Sequence, residues 1–209
     1  MSEFTFEFEE DLAEESEQSQ GGSFGTLDTG VYAVTINFAS LDKTANGNNT
    51  LSLDITTDTG HRPTLWGCFG TIDKAWASGK ENFSYKDFQA FMGALGVKSI
   101  TPTPYELKKE DGTLIKQLSV VKELHGVKCK LAIQKELDVY NGEVKERNLI
   151  HSSYNAKGQT YLEAKSGSPA EKITKVGERL SDKISKAYKL RDLNSSETEE
   201  EGEDSGSLL

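Results

Sequence analysis

The fold is decided by residues 30–55, which read GVYAVTINFASLDKTANGNNTLSLDI. Apolar or aromatic residues take every second position on both sides of a turn: Tyr32, Val34, Ile36 and Phe38, then Leu51, Leu53 and Ile55. Such alternation is typical of half-buried β-strands. Residues 43–49 between them are rich in Asn and Gly, which tolerate the backbone of a tight turn. The stretch therefore predicts a β-hairpin.

Turn signals extend this hairpin into a larger β unit followed by a helix. Residues 58–61 form a second turn signal, and residues 64–69 then resume the strand pattern, so residues 30–70 predict a three-stranded meander. Ser84 suits a helix N-cap and Gly96 suits a C-terminal stop. Between them, apolar residues recur at helical spacing: Phe88, Phe91, Met92 and Leu95. We expect a helix over 84–95, followed by a polar connection without regular structure until about residue 118.

A second β unit and a terminal helix complete the predicted domain. Residues 127–135 alternate apolar positions with Lys128 and Lys130, and Asn141-Gly142 favours a tight hairpin turn to a returning strand over 147–154. The stretch Ser168-Pro169-Ala170-Glu171 carries helix-start signals. Downstream, an apolar stripe runs beside a basic one: Ile173, Val176, Leu180, Ile184 and Ala187 beside Lys172, Lys175, Arg179, Lys183 and Lys186. The pattern predicts a basic amphipathic helix.

Charge divides the chain into three parts. The formal net charge is −10, but residues 1–20 hold eight acids and residues 192–209 hold seven, with no base in either segment. Residues 21–191 then have 19 acids against 24 bases, a net charge of +5. We expect a disordered acidic segment over 1–24, one folded domain over 25–191 and a disordered acidic tail over 192–209.

Catalytic and metal-binding signatures are lacking in the sequence. There is no Walker-type phosphate loop, no Gly-x-Gly-x-x-Gly after a strand and no His-Glu-x-x-His. His61, Cys68, His125 and Cys129 lack the close Cys-x-x-Cys spacing of structural zinc sites. We predict that the chain is not an enzyme and uses no metal or cofactor. Without a basic, apolar leader or a long apolar run, it is expected to be a soluble cytoplasmic protein.

Aromatic and basic residues of the net-basic segment suit contact with nucleic acid. Aromatic rings can stack on unpaired bases, and lysine or arginine can follow the phosphate backbone. The candidate residues are Lys43, Arg62, Trp66, Phe69, Lys128, Lys130, Lys135, Tyr140, Arg147, Tyr154 and Lys157.

The acidic C-terminus suggests a second contact. An acidic segment on a net-basic domain can compete with nucleic acid, and two terminal leucines after an acidic run can dock on a partner. The candidate partner-binding residues are Glu199, Glu200, Glu201, Glu203, Asp204, Leu208 and Leu209.

The arrangement resembles the single-stranded DNA-binding proteins of tailed bacteriophages. The features that carry this resemblance are Gly30-Val31-Tyr32, the loop Thr44–Asn49, the helix Ser84–Leu95, the strand Val127–Lys135 with its turn Tyr140-Asn141-Gly142, and the acidic tail ending in Leu208-Leu209.

The resemblance implies a mainly β fold and a DNA partner. The expected fold is a five-stranded OB-type barrel with an inserted helix and a C-terminal amphipathic helix. It implies that the chain coats single-stranded DNA during replication, recombination or repair, as a homo-oligomer or a cooperative assembly on DNA, in the cytoplasm of the bacterial host. The acidic tail would compete with DNA and recruit replication or recombination proteins. Two alternatives remain open: a DNA-mimicking inhibitor that binds a basic host enzyme through its acidic tails, and a recombination enzyme with an unrecognised active site.

Overall fold

A computed structural model describes residues 25–74, 82–108, 114–140 and 143–189, with the side chains of residues 107, 108, 115, 116 and 140 left out. The protein is mainly β within these ranges. Its strands are β1 (Gly30–Lys43), β2 (Asn49–Thr57), β3 (Thr64–Leu65), β4 (Thr103–Lys108), β5 (Leu114–Val120), β6 (Lys128–Tyr140), β7 (Glu143–Asn155) and β8 (Lys183–Ile184). The helices are α1 (Phe83–Leu95), α2 (Tyr161–Ser166) and α3 (Lys172–Gly177), with a 3-10 turn at Lys122–Leu124. The predicted terminal tails lie outside the described residues.

The long strand β1 organises the sheet. One edge of β1 pairs antiparallel with β2, which in turn pairs with β3. The other edge pairs with β6 through residues 30–35 and with β5 through residues 40–41. Strand β6 continues to β7, and β4 extends the sheet beyond β5. The predicted meander and second hairpin are therefore confirmed, although the third strand is only two residues long.

The sheet is open and does not close into the expected barrel. Strands β3 and β7 are not joined by a ladder in the described chain. A single main-chain hydrogen bond crosses between their ends, from Ile150 N–H to the Cys68 carbonyl at 3.0 Å. Alternating residues of β1, β2 and β6, among them Val34, Leu53 and Leu131, bury one face of the curved sheet against α1.

Helix α1 confirms the predicted helix, with a different N-cap. Asn82 is the N-cap, because its side-chain oxygen accepts from Ser84 N–H at 3.1 Å. Its amide also donates to the carbonyls of Thr71 at 2.6 Å and Asp73 at 2.8 Å, which fixes the helix start to the preceding loop. Gly96 ends the helix in the left-handed conformation, as expected.

Two further sequence-based expectations are wrong. The connection after α1 contains the β4–β5 hairpin, whose strand β4 lies at a sheet edge and so tolerates Pro104. The predicted C-terminal helix is interrupted after Gly177 by β8, which pairs parallel with β6, and helical conformation resumes at residues 186–189. Ser185 N–H donates to the Leu137 carbonyl at 3.0 Å, so a sheet contact replaces the helical bonds expected there. No helix in the described ranges is both long and apolar enough to cross a bilayer.

Candidate nucleic-acid interface

A groove lies on the outer face of β1, β2 and β3, opposite the core. It has a volume of about 190 Å³, and we call it the aromatic groove. Its lining residues are Phe38, Ser40, Ser52, Asp54, Thr64, Trp66 and Leu118. The register of β1 and β2 explains why these side chains point to the same side of the sheet, since Phe38 pairs with Asp54 and Ser40 pairs with Ser52.

Trp66 is the exposed aromatic side chain of this groove. It follows β3 directly, between the buried residues Leu65 and Cys68, and is 65% exposed. Gly67 after it has φ +54°, a conformation that suits glycine and turns the chain back toward β2. The Trp66 ring therefore presents a large apolar surface to solvent, as base stacking requires.

Phe38 adds a second ring that the sequence did not place in the site. A β-bulge between Ile36 and Phe38 shifts the alternation, so that Ala39 enters the core and Phe38 faces outward. The Phe38 ring packs against His125, with 5.2 Å between ring centroids. His125 is held in turn because its Nε2 accepts from Ala39 N–H at 3.3 Å.

The aromatic groove has one acidic residue in its lining and basic residues at its ends. Asp54 is its acidic residue, and the Thr64 hydroxyl donates to the Asp54 carboxylate. Lys43 is exposed at the end of β1, and Arg62 is exposed two residues before β3. Because β2 runs antiparallel to both neighbours, these two basic residues flank opposite ends of the face.

A second concavity on the same face carries lysines, and we call it the lysine groove. It has a volume of about 310 Å³ between β1, the end of β2 and the start of β6. Lys128 and Lys130 line it, opposite Thr35 and Ala33 of β1, and Asp58 is on its rim. Neither lysine has an ion-pair partner in the described part of the chain. Lys157 is exposed beside Ala156, which also lines the groove.

Two predicted stacking residues are buried. Phe69 is 7% exposed and packs against Phe88 and Phe91, at centroid distances of 6.1 and 5.1 Å. Tyr154 is fully buried and its hydroxyl bonds to the Ser152 hydroxyl at 2.8 Å. Burial raises the pKa of the Tyr154 phenol. Neither ring presents a face to a base, which corrects the expectation for both.

Two predicted basic residues are already engaged with carboxylates. Lys135 is 20% exposed and lies 3.1 Å from Glu146 and 3.7 Å from Asp28. Arg147 bonds to the buried carboxylate of Glu136. Both cations are partly neutralised, so they are weaker phosphate candidates than Lys128 and Lys130. The Tyr140 side chain and the acidic tail with Leu208-Leu209 lie outside the described residues.

The two cysteines are core residues. Burial raises the pKa of the Cys129 thiol to about 12 and that of Cys68 well above its usual range. A thiol must lose its proton to bind zinc, and burial opposes that step. Nowhere in the described ranges do three His, Cys, Asp or Glu side chains group closely enough to hold a metal ion.

Comparison with known protein families found no family model that matches the chain, and comparison with curated proteins found no match. The observed class is thus a mainly β protein whose outer face carries an aromatic groove beside a lysine groove.

Proposed function

We propose that the protein binds single-stranded DNA across the outer face of β1, β2 and β3. The observation that carries the proposal is the exposed Trp66 beside Phe38 in the aromatic groove. Exposed aromatic rings stack on unpaired bases without demanding a particular base, and each contributes about 1–3 kcal/mol. Lys43, Arg62, Lys128 and Lys130 then supply salt-sensitive contacts to phosphates.

The strand arrangement supports an OB-type interpretation of this face. An OB-fold is a partly open five-stranded barrel that binds oligonucleotides on its second and third strands and the adjoining loops. Strands β1, β2, β3, β6 and β7 are the counterparts in this proposal, and the Ile150–Cys68 hydrogen bond marks where the barrel approaches closure. In this scheme β4 and β5 are an added hairpin. The aromatic groove lies on the face formed by the second and third strands.

The acidic C-terminal tail takes a regulatory role in the proposal. It competes with DNA for the basic surface and recruits replication or recombination proteins of the infected bacterial cell. The second candidate is a DNA-mimicking inhibitor that binds a basic enzyme through the acidic segments, and the 15 acids of residues 1–20 and 192–209 favour it.

Binding of labelled oligonucleotides to the full chain tests the proposal. We expect a thymidine oligonucleotide of about 16 nucleotides, the upper end of OB-fold site sizes, to bind at low salt. The affinity should fall with salt, with a logarithmic slope of about −0.7 for each phosphate contact. A chain that ends at Leu190 should bind more tightly. If neither form binds at low salt, the proposal fails and the DNA-mimicking inhibitor is favoured.

A matched pair of variants locates the interface. Trp66→Ala should weaken binding by about 1–3 kcal/mol, or roughly 5- to 150-fold, because a stacking platform is lost. Phe83→Ala is the control, since Phe83 is a 73% exposed aromatic residue at the start of α1, away from the groove. An equal loss in both variants would contradict the assignment of this face.

A further inference from the structure

A third concavity lies beside α3 and is rimmed by basic side chains. We call it the basic pocket. It has a volume of about 230 Å³, and its lining residues are His151, Lys172, Lys175, Val176, Arg179 and Leu180. The half-buried Val176 and Leu180 provide apolar surface, whereas Lys172, Lys175 and Arg179 are exposed. Concentrated positive charge around a concave surface favours an anionic ligand.

The positive charge of the basic pocket is only partly compensated. Lys175 lies 3.1 Å from Glu171, one turn earlier, in an exposed pair. Asp87 of α1 is close enough to His151 for their charges to interact. Lys172 and Arg179 have no acidic partner in the ranges that the structure describes. Two full positive charges thus remain available for a ligand.

The shape and chemistry of the pocket suit a phosphodiester. An arginine fork matches the oxygens of a phosphate, and lysine adds a point charge. The volume corresponds to about eight water molecules at roughly 30 Å³ each, which leaves room for a phosphate group and part of its sugar. Val176 and Leu180 offer the sugar an apolar contact.

Helix α3, which lines the basic pocket, lies over the end of β1 next to the lysine groove. Phe38 and Ser40 line the aromatic groove, and Ala33 and Thr35 line the lysine groove. Val31, the next outward residue, lies under α3, where a Cβ at Gly177 would be 3.5 Å from its Cγ2. Val31 to Ser40 spans about 30 Å at roughly 3.3 Å per residue. A single extended ligand can follow this strand from the aromatic groove to the lysine groove. Beyond that groove it must pass α3 to reach the basic pocket, because the pocket is lined by α3, the residues that follow it and His151 of β7.

We propose that the basic pocket binds backbone phosphates of the same DNA strand whose bases stack in the aromatic groove. The inference rests on the proposed function and extends its footprint to α3. A short oligonucleotide then fills the aromatic groove alone, whereas a longer one also reaches the basic pocket.

The test compares two triple variants of the full chain with short and long oligonucleotides. One variant combines Lys172→Gln, Lys175→Gln and Arg179→Gln. The control combines Lys98→Gln, Lys186→Gln and Lys189→Gln, which removes the same charge from exposed positions outside the three concavities. Thymidine oligonucleotides of about 4 and about 16 nucleotides cover the range of OB-fold site sizes. Thermal unfolding verifies that each variant is folded.

We expect the pocket variant to weaken binding of the long oligonucleotide on the order of tenfold and to reduce its salt slope by about 1.4, for the two lost contacts of Lys172 and Arg179 at about 0.7 each. Binding of the short oligonucleotide should change little. The control should affect both lengths equally and weakly. In NMR spectra of the wild-type chain, the His151 ring signals should shift with the long oligonucleotide and not with the short one.

Three outcomes would overturn the inference or its basis. An equal effect of both triple variants on the long oligonucleotide would show that the pocket residues act only as general surface charge. Loss of binding to a synthetic peptide of residues 192–209, with unchanged oligonucleotide binding, would assign the pocket to an acidic protein segment. If the wild-type chain binds neither oligonucleotide at low salt, the proposed function itself fails.

Discussion

The outer face of β1 is covered at one end and open at the other. At Val31, helix α3 packs on the strand, and on β7, which follows β6 in the sheet, Tyr154 is fully buried. At Phe38 and Ser40 the same face forms a groove in which Trp66 is 65% exposed. Val31, Phe38 and Ser40 all belong to β1 and point to the same side of the sheet. The difference in exposure therefore comes from the segment after β7, which folds back over one end of the face. An aromatic ring under this segment supports the fold, whereas a ring at the open end is available to a ligand.

The largest effect should come from removing the buried ring at the covered end. Tyr154→Ala should lower the free energy of unfolding by about 3–5 kcal/mol, because it leaves a cavity under the helices. Trp66→Ala should change it by less than about 0.5 kcal/mol, since little packing is lost at an exposed position. Urea titration of both variants measures the difference. Similar losses in the two variants would refute the contrast between the ends.

The segment with α2 and α3, which covers this end of the face, depends on a buried carboxylate, Glu163. It accepts hydrogen bonds from the main chain and hydroxyl of Thr160, at 2.8 and 3.0 Å, and from the N–H groups of Glu171 and Lys172, at 3.1 and 3.0 Å. It therefore joins the starts of α2 and α3. Glu163→Gln should lower the free energy of unfolding by about 2 kcal/mol, since hydrogen bonds to a charged group are weakened. Glu178→Gln, at an exposed position on the same segment, is the control.

The same carboxylate predicts a pH dependence. Burial raises the pKa of Glu163, but the hydrogen bonds from Thr160, Lys172 and Glu171 more than offset it, so the pKa lies below its usual 4.5. A lowered folded-state pKa means that the stabilisation is complete above about pH 4.5 and is lost as the pH falls through the folded pKa. Wild-type stability should therefore fall more steeply in acid than that of Glu163→Gln. Parallel acid profiles would contradict this.

A smaller loss of stability should follow from loosening β8, the strand after α3. The buried carboxylate of Glu136 bonds to Arg147 and lies 2.7 Å from Lys183 of β8. Glu136→Gln should lower the free energy of unfolding by about 1–2 kcal/mol, because both cations are half-exposed and can be hydrated instead. Hydrogen exchange of the Ser185 amide, which bonds to Leu137, should become faster. Unchanged exchange would show that other contacts hold β8.

The smallest effect concerns the lysine groove, which lies between the covered and the open end of the outer face. Lys128→Gln with Lys130→Gln should reduce the salt slope of oligonucleotide binding by about 1.4, at about 0.7 for each lost phosphate contact. Stability should be unaffected. The pair Lys98→Gln with Lys189→Gln is the control, and salt titrations of the affinity provide the measurement. A salt slope equal to that of the control would show that the lysine groove is not part of the interface.

The sequence predicted the strands that alternate regularly and missed those that do not. The alternation around Ile36 and Leu53 located β1 and β2, and Lys128 and Lys130 were correctly placed on the outer face of β6. The β4–β5 hairpin was missed because Pro104 argues against a central strand and is tolerated at an edge. The C-terminal helix was overextended because Ile184 fits the helical stripe but lies in β8, which pairs with β6.

The candidate site was less predictable because exposure depends on distant segments. Trp66 and Phe69 are three residues apart, yet one is exposed and the other packs on α1. Local pattern distinguishes the two faces of a strand, but it does not show which face another element will cover. Phe38 was missed for another reason, since a β-bulge leaves no simple signature in a sequence.

The two ends of the described body meet at one place. The Thr29 hydroxyl donates to Asp182, and the Gln134 amide donates to the Ser181 carbonyl at 2.7 Å. Thr29 and Asp182, close to the first and last described residues, are therefore in direct contact. Closeness of the ends also makes the body suited to circular permutation. A permuted chain, with its original ends joined and new ends at the Thr44–Asn48 turn, would have its termini at the far end of β1.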